Sequence, residues 1–162
     1  MASAVAEQMG DQDELSCVVI PTEGENLLLP NVCVAEIVPW RRIKLLKEGP
    51  AWCLGFTGWR GLTIPVVDYL GFAGPREQVP QARCLVVMNR ARTSDAIPFY
   101  AFAAQSLPYM VALAEDDLNT NTGELGNADV MKVELGSAVA TIPDLAFIEQ
   151  QVSALHKHSA AS

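Results

Sequence analysis

Ten short apolar runs, separated by turn-forming residues, constrain this chain more than any other feature. They are "LSCVVI", "LLLP", "VCVAEIVPW", "AWCLGF", "LTIPVVDYL", "RCLVVMNRA", "PFYAFAA", "YMVAL", "DVMKVEL" and "AVATI". Each is too short for a typical helix, and several are rich in β-branched residues. In the second half they recur at intervals of roughly ten residues, the spacing of an all-β barrel or sandwich. Only the end departs from this. "PDLAFIEQQVSALHKHSAAS" places Leu145, Phe147, Ile148, Val152 and Leu155 close to a 3.6 period, which predicts a terminal helix fraying after Leu155.

The 162 residues amount to one domain, and 50% hydrophobic against 19% charged residues is ample for a core. Residues 1–14 are polar, acidic and aperiodic and read as a flexible tail, as do residues 156–162. The folded part is expected over 15–155. The loop "AGPREQVPQA" is taken as the border between a first lobe of about 15–75 and a second of about 80–150. A loose echo supports two lobes of similar build. "LTIPVVDYLG" and "VATIPDLAF" both run a β segment into a proline, then an aspartate followed closely by leucine.

Local signals refine this. "TEGEN", with Gly24, predicts a hairpin turn between the first two strands. An extended "VCVAEIVPW" would place Val32, Val34, Glu36 and Val38 on one face and Cys33, Ala35 and Ile37 on the other. Glu36 is the one charge there, and a rim position would let its carboxylate reach water. "RRIKLLKEGP" reads as a solvated connection. "TGWRG" reads as a tight turn, and Pro65 demotes the following strand to an edge or a bulge. "EDDLNTNTGELGNAD" reads as an exposed acidic loop.

Several chemistries find no residues. The only histidines, His156 and His158, fall in the terminal tail. No His/Cys/Asp spacing converges on a metal, and no GxxxxGK[ST] or GxGxxG motif occurs. Asp116 and Asp117 are adjacent and make a poor carboxylate pair. No enzyme activity, cofactor or metal is therefore expected. The net charge of −8 opposes nucleic acid and anionic membranes as partners. Cys17, Cys33, Cys53 and Cys84 form no CxxC pair and sit in apolar runs, as buried reduced thiols do. "MASAVAEQMGDQDE" lacks a secretory leader pattern, and no apolar run reaches the roughly 18 residues of a membrane span. These features read as cytoplasmic.

The aromatic and basic residues are unevenly placed. All three tryptophans, Trp40, Trp52 and Trp59, lie between positions 40 and 59, interspersed with Arg41, Arg42 and Arg60. Tryptophan and arginine dominate binding energy at interfaces. Trp52 is assigned to the core, whereas the turn at Trp59–Arg60 should point at least one side chain outward.

"LLLPNVCVAEIV", followed about twenty residues later by "GFTGWRGLTIPVVDYLG", resembles the CheW-like domain family of bacterial chemotaxis coupling proteins. The resemblance spans about 15–150. Val34, Glu36, Ile37, Gly55, Arg60, Gly61, Pro65, Val66 and Asp68 are in register, and the second half fits more loosely. "IPFYAFAAQSLPYMVAL" looks most like ChpC-type adaptors of the chemosensory systems behind type IV pili and twitching motility. The resemblance implies an all-β fold of two small five-stranded SH3-like barrels sharing a hydrophobic core, with short helices and the C-terminal helix. It implies a non-catalytic scaffold without cofactors. Its partners would be the regulatory domain of a CheA-type histidine kinase, the cytoplasmic tip of a methyl-accepting chemoreceptor, and other CheW-like proteins. Such a protein would be cytoplasmic and recruited to membrane-associated arrays without entering the membrane itself. By position, Val34, Glu36, Ile37, Gly55, Trp59, Arg60 and Gly61 would face partners. Gly61 and Asp68 would also hold the turn and cap the next element. Gly58 stands where the family usually has asparagine, which implies a freer turn, and Trp59 is larger than the usual aliphatic residue. From the residues alone, a two-lobed barrel sensing a small apolar ligand is the competing reading. An OB-like nucleic-acid binder is disfavoured by charge.

Overall fold

The computed structural model describes residues 14–89 and 99–161, and the expected tail over residues 1–13 lies outside that range. Twelve strands form two six-stranded sheets. The first sheet is ordered β10-β11-β12-β2-β1-β9 and the second β4-β5-β6-β8-β7-β3. The strands of the first are β1 (Leu15–Pro21), β2 (Asn26–Pro30), β9 (Tyr109–Leu113), β10 (Asn119–Asn121), β11 (Asp129–Leu135) and β12 (Ala138–Pro143). Those of the second are β3 (Val34–Pro39), β4 (Lys44–Leu45), β5 (Cys53–Trp59), β6 (Leu62–Val67), β7 (Cys84–Met88) and β8 (Tyr100–Ala104). Each sheet thus has one strand more than the five expected, and each ends on a very short edge strand, β4 or β10.

The two sheets have one topology, read twice. β1–β6 and β7–β12 are successive copies of the same six-strand order, with a single parallel pairing at the same place in each sheet, β12 beside β2 and β6 beside β8. The echo between "LTIPVVDYLG" and "VATIPDLAF" is this repeat, since β6 and β12 occupy equivalent positions. The 75–80 border therefore separates the repeats along the chain, but it does not separate the sheets. Each sheet takes two strands from one repeat and four from the other. Packing explains the exchange. The β1–β2 and β7–β8 hairpins are apolar on both faces, so each is stable only when covered on both sides.

Three apolar clusters result. Val18, Ile20, Leu27 and Leu29 meet Val86, Met88, Tyr100 and Phe102 in a core shared by the two sheets. The other faces of the same strands fill the interior of each sheet. Leu85, Val87 and Ala101 do so in the second, and Cys17, Val19 and Leu28 in the first. Trp52 lies in the shared core, as expected. The helix α1 (Leu145–Ala161) lays Leu145, Ile148 and Val152 on that core. Asp144 starts it, its side chain accepting the Phe147 N–H at 3.0 Å, a cap of about 1 kcal/mol. The backbone stays helical beyond Leu155, where fraying was expected, and through residues 156–161 of the expected tail.

Four local expectations need correction. Val32 and Cys33 belong to a 3-10 turn, Asn31–Cys33, so the strand begins only at Val34, and a bulge between Val34 and Glu36 breaks the simple alternation. β6 is interior rather than an edge. Pro65 is accommodated because β8 pairs with β6 only at Val66 and Val67, so Pro65 owes no hydrogen bond on that side. "RRIKLLKEGP" contributes the edge strand β4, and the acidic loop contains β10.

Cys17, Cys53 and Cys84 are buried, Cys33 is half-buried, and all four are free thiols. Burial pushes each thiol above its ordinary value, so the reactive thiolate is scarce at neutral pH. A thiol reagent should therefore label none of them quickly in the native protein and all four after unfolding. Fast native labelling of Cys33 or Cys53 would overturn this.

Candidate functional site

The β5–β6 hairpin carries the candidate site. Trp59 pairs with Leu62, so the turn is the two residues Arg60 and Gly61 alone. Both have positive φ, 47° at Arg60 and 77° at Gly61. That is the turn whose twist matches a β-hairpin. Gly58 is consequently a strand residue and not part of the turn. Its carbonyl accepts a hydrogen bond from Arg41 Nη1 at 2.9 Å, which ties the segment after β3 to this hairpin.

Strand alternation then decides where the side chains go. Thr57 and Trp59 fall on the buried side of β5. Trp59 is 6% exposed, packs with Ile64, Leu85 and Val87, and tilts against Phe99 with ring centroids 5.0 Å apart. It does not point outward. Arg60 does, with its side chain 66% exposed. Its guanidinium lies 4.8 Å over the indole of Trp59. Glu36, on β3, completes the group. One carboxylate oxygen accepts from Trp59 Nε1 at 3.0 Å and from Arg60 Nη2 at 3.1 Å. The chain thus ties the edge strand β3 to the β5–β6 turn through a single carboxylate. Trp59 acts from beneath, as a floor that orients the two charges.

The remaining site residues lie apart from this group. Ile37, next to Glu36, is exposed, and so is Leu62 beside the turn. Val34 packs against the shared core. Gly55 lies toward the other end of β5, opposite Leu45. A Cβ at Gly55 would come within 2.0 Å of the Lys44 carbonyl oxygen, and its φ is 153°, so glycine is needed there for β4 to approach. Leu62 was missed by sequence reasoning, although the Trp–Arg clustering points to its hairpin.

Asp68 does not cap with its side chain. Its backbone carbonyl accepts from Gly71 at 2.9 Å, while its buried carboxylate accepts from Arg76 Nε at 3.0 Å. Arg76 also reaches Glu23 at 2.7 Å, so it pins the loop after β6 to the β1–β2 turn. Tyr69, which follows Asp68, sets its hydroxyl 2.8 Å from the Ala128 carbonyl and 2.7 Å from an Asp129 carboxylate oxygen, joining the two sheets.

Gly61 offers a direct test of the turn. A left-handed backbone costs a residue with a β-carbon about 1–2 kcal/mol, and more when it is β-branched. Gly61→Val should lower the melting temperature by at least about 2–4 °C, at roughly that shift per kcal/mol for a chain of this size. Partner binding should fall with it. Unchanged melting would show that the turn tolerates a side chain and is not held as described.

Among the described residues, no three His, Cys, Asp or Glu side chains are grouped to hold a metal, and no helix is long and apolar enough to cross a membrane. His156 and His158 lie where side chains are not described.

The site can present a fixed guanidinium and a carboxylate at a rigid turn, an arrangement suited to docking. The fold is similar to that of the scaffolding protein TtCheW from Thermoanaerobacter tengcongensis, at a TM-score of 0.61 and 18% identity over 80% of this chain and 88% of that one. No curated protein sequence matches. The model of the CheW-like domain matches residues 16–150, which include nearly all of both repeats, most of the shared core and the Glu36–Trp59–Arg60 group, and the chain therefore belongs to the CheW-like domain family.

Proposed function

We propose that this protein is a non-catalytic adaptor that couples chemoreceptors to a CheA-type histidine kinase, in a chemosensory array controlling type IV pili and twitching motility. The observation that carries the reading is Arg60. It is a non-glycine residue held at φ 47° on a two-residue turn, with most of its side chain in water. Strain of this kind persists where the surrounding structure enforces it, and it concentrates at functional sites. Here the two-residue turn sets the positive φ, and Trp59 and Glu36 hold the guanidinium from below and from the side. The result is a forked donor with a restricted set of rotamers, which loses less entropy on docking than a free surface arginine.

Val34, Glu36, Ile37, Gly55, Trp59, Arg60 and Gly61 divide the work in this reading. Arg60, Glu36 and Ile37 meet a partner. Trp59 and Gly61 set their positions, and Val34 and Gly55 hold the edge strands β3 and β4. The partners are the receptor's cytoplasmic tip and the kinase regulatory domain, itself CheW-like. The association with type IV pili rests on the likeness of "IPFYAFAAQSLPYMVAL" to ChpC-type adaptors. The adaptor works in the cytoplasm, recruited to membrane-associated arrays.

Co-purification from the native cell tests the proposal. A histidine kinase and a methyl-accepting receptor should come down together with the tagged protein, and deletion should impair twitching. Recovery of neither partner would overturn the adaptor reading. Normal twitching with both partners recovered would reject only its link to pili.

A further inference from the structure

The repeat makes the two sheets comparable strand for strand, and one difference between them is pronounced. In the second sheet, the edge strand β3 is bridged to the β5–β6 turn by Glu36. The equivalent edge strand of the first sheet, β9, has no such bridge among the described residues. A cleft runs instead between β9 and the β10–β11 edge, bordered by Val111, Asp116, Asp117, Glu134 and Leu135. Its floor is apolar, since Val111 and Leu135 also pack against the interior of this sheet. β9 pairs only with β1, so half of its backbone groups face outward. Along that edge Tyr109 and Met110 are more than half exposed, and none of its five residues is charged. Exposed edges are ordinarily blunted by charge, proline or a bulge within the strand. β9 has none of these.

We propose that β9 is a docking edge for an extended segment of a partner protein, one that alternates apolar residues with lysine or arginine. The segment would add a strand to the sheet beside β9. Its backbone would satisfy the outward-facing groups of β9, and its apolar side chains would cover the cleft floor. Its basic side chains would meet Asp116, just after β9, and Glu134 on β11, whose carboxylate also accepts from Asn121 Nδ2. Charge selects the occupant. A second copy of this chain, at net charge −8, would bring an uncharged β9 and more acid to an already acidic cleft. This surface is separate from the Glu36–Arg60 group, so the inference goes beyond the adaptor reading and does not depend on it.

The probe is a fluorescent eight-residue peptide of alternating valine and lysine, titrated against the full chain and followed by anisotropy. It should bind, weaken as salt is raised, and bind at least about tenfold more tightly than a valine–glutamate peptide. N-methylation of alternate peptide amides should abolish binding, because it removes the ladder donors. Met110→Lys and, separately, Asp116→Lys with Glu134→Lys should each weaken binding about tenfold or more while circular dichroism stays unchanged. Met110→Thr, which keeps the edge uncharged, serves as a folding control and should bind nearly as well as the parent. Equal binding of the acidic peptide, or binding indifferent to these charge changes and to N-methylation, would overturn the proposal. So would sedimentation showing a dimer that Met110→Lys dissociates, because the occupant would then be a second copy.

Discussion

Arg60→Glu is expected to melt within a few degrees of the parent protein and yet to bind receptor and kinase fragments about 30- to 1000-fold more weakly. The two halves of this result have different physical sources. The Arg60–Glu36 ion pair is exposed on both sides, at 66% and 40% of the side chains, and such pairs contribute roughly 0–1 kcal/mol to stability. Trp59 stays buried by its own contacts and keeps its hydrogen bond to Glu36. At an interface the balance differs. An arginine that anchors a complex typically costs about 2–4 kcal/mol when removed, and at about 1.4 kcal/mol per decade this gives the stated range. Glu36→Lys should behave similarly in binding. Combining Arg60→Glu with Glu36→Arg then separates two roles. The exchanged pair can still form its ion pair, but Trp59 Nε1 loses its carboxylate acceptor at position 36, so stability should stay below the parent. Binding should remain defective, because a partner's groups would meet reversed charges. Circular dichroism melting beside pull-down on both fragments reads the two quantities. A folded Arg60→Glu protein that binds at full strength would remove Arg60 from the site, and restored binding in the double exchange would confine both residues to an internal bridge.

Arg76→Ala is expected to cost far more stability, about 3 kcal/mol at neutral pH, although it too removes one arginine from an ion pair. The difference is burial. The Asp68 side chain is only 5% exposed, against 40% for Glu36. Removing the partner of a buried charge costs about 3–5 kcal/mol, and the lower end applies because Arg76 itself is 19% exposed and water can partly replace it. For a chain of this size, about 3 kcal/mol lowers the melting temperature by roughly 6–12 °C. The pH dependence has a definite sign. Burial holds the Asp68 carboxyl above the ordinary aspartate value, while Arg76 pulls it down. The folded protein therefore binds this proton more tightly than the unfolded chain does. The contribution of Asp68 is fully present below its unfolded value and declines as pH rises through the raised folded value. Without Arg76 the folded value rises further, so the decline deepens and extends to higher pH. Arg76→Ala should accordingly recover part of its lost stability on acidification. Adding Asp68→Asn should recover stability at neutral pH by removing the charge. Melting unchanged by Arg76→Ala, or a deficit independent of pH, would show that Arg76 does not compensate Asp68.

Much of this architecture follows from residues that act on their neighbours. The β class follows from apolar runs too short for helices. The terminal helix follows from the spacing of Leu145, Ile148 and Val152, and the tight turn from Gly61. The burial of Trp52 and of most of the cysteines follows from their apolar surroundings. Each of these depends on backbone sterics or on a period of a few residues, which a sequence displays directly.

What the sequence left open depends on partners distant along the chain. Runs apolar on both faces must be covered twice, but they carry no mark of which strand covers them, so only the assembled sheets show the exchange of hairpins between the two repeats. Trp59 turned inward because a two-residue turn sets the parity of the strand before it, and a turn even one residue longer would have reversed that parity. Pro65 proved compatible with an interior strand because β8 pairs with β6 only at Val66 and Val67. Glu36 became a bridge, and Asp68 a buried ion pair, because Trp59, Arg60 and Arg76 arrive from other elements. A carboxylate in a sequence shows its charge but not its burial. Burial is a property of everything packed around it, and so the roles of Glu36 and Asp68 were decided only in the folded molecule.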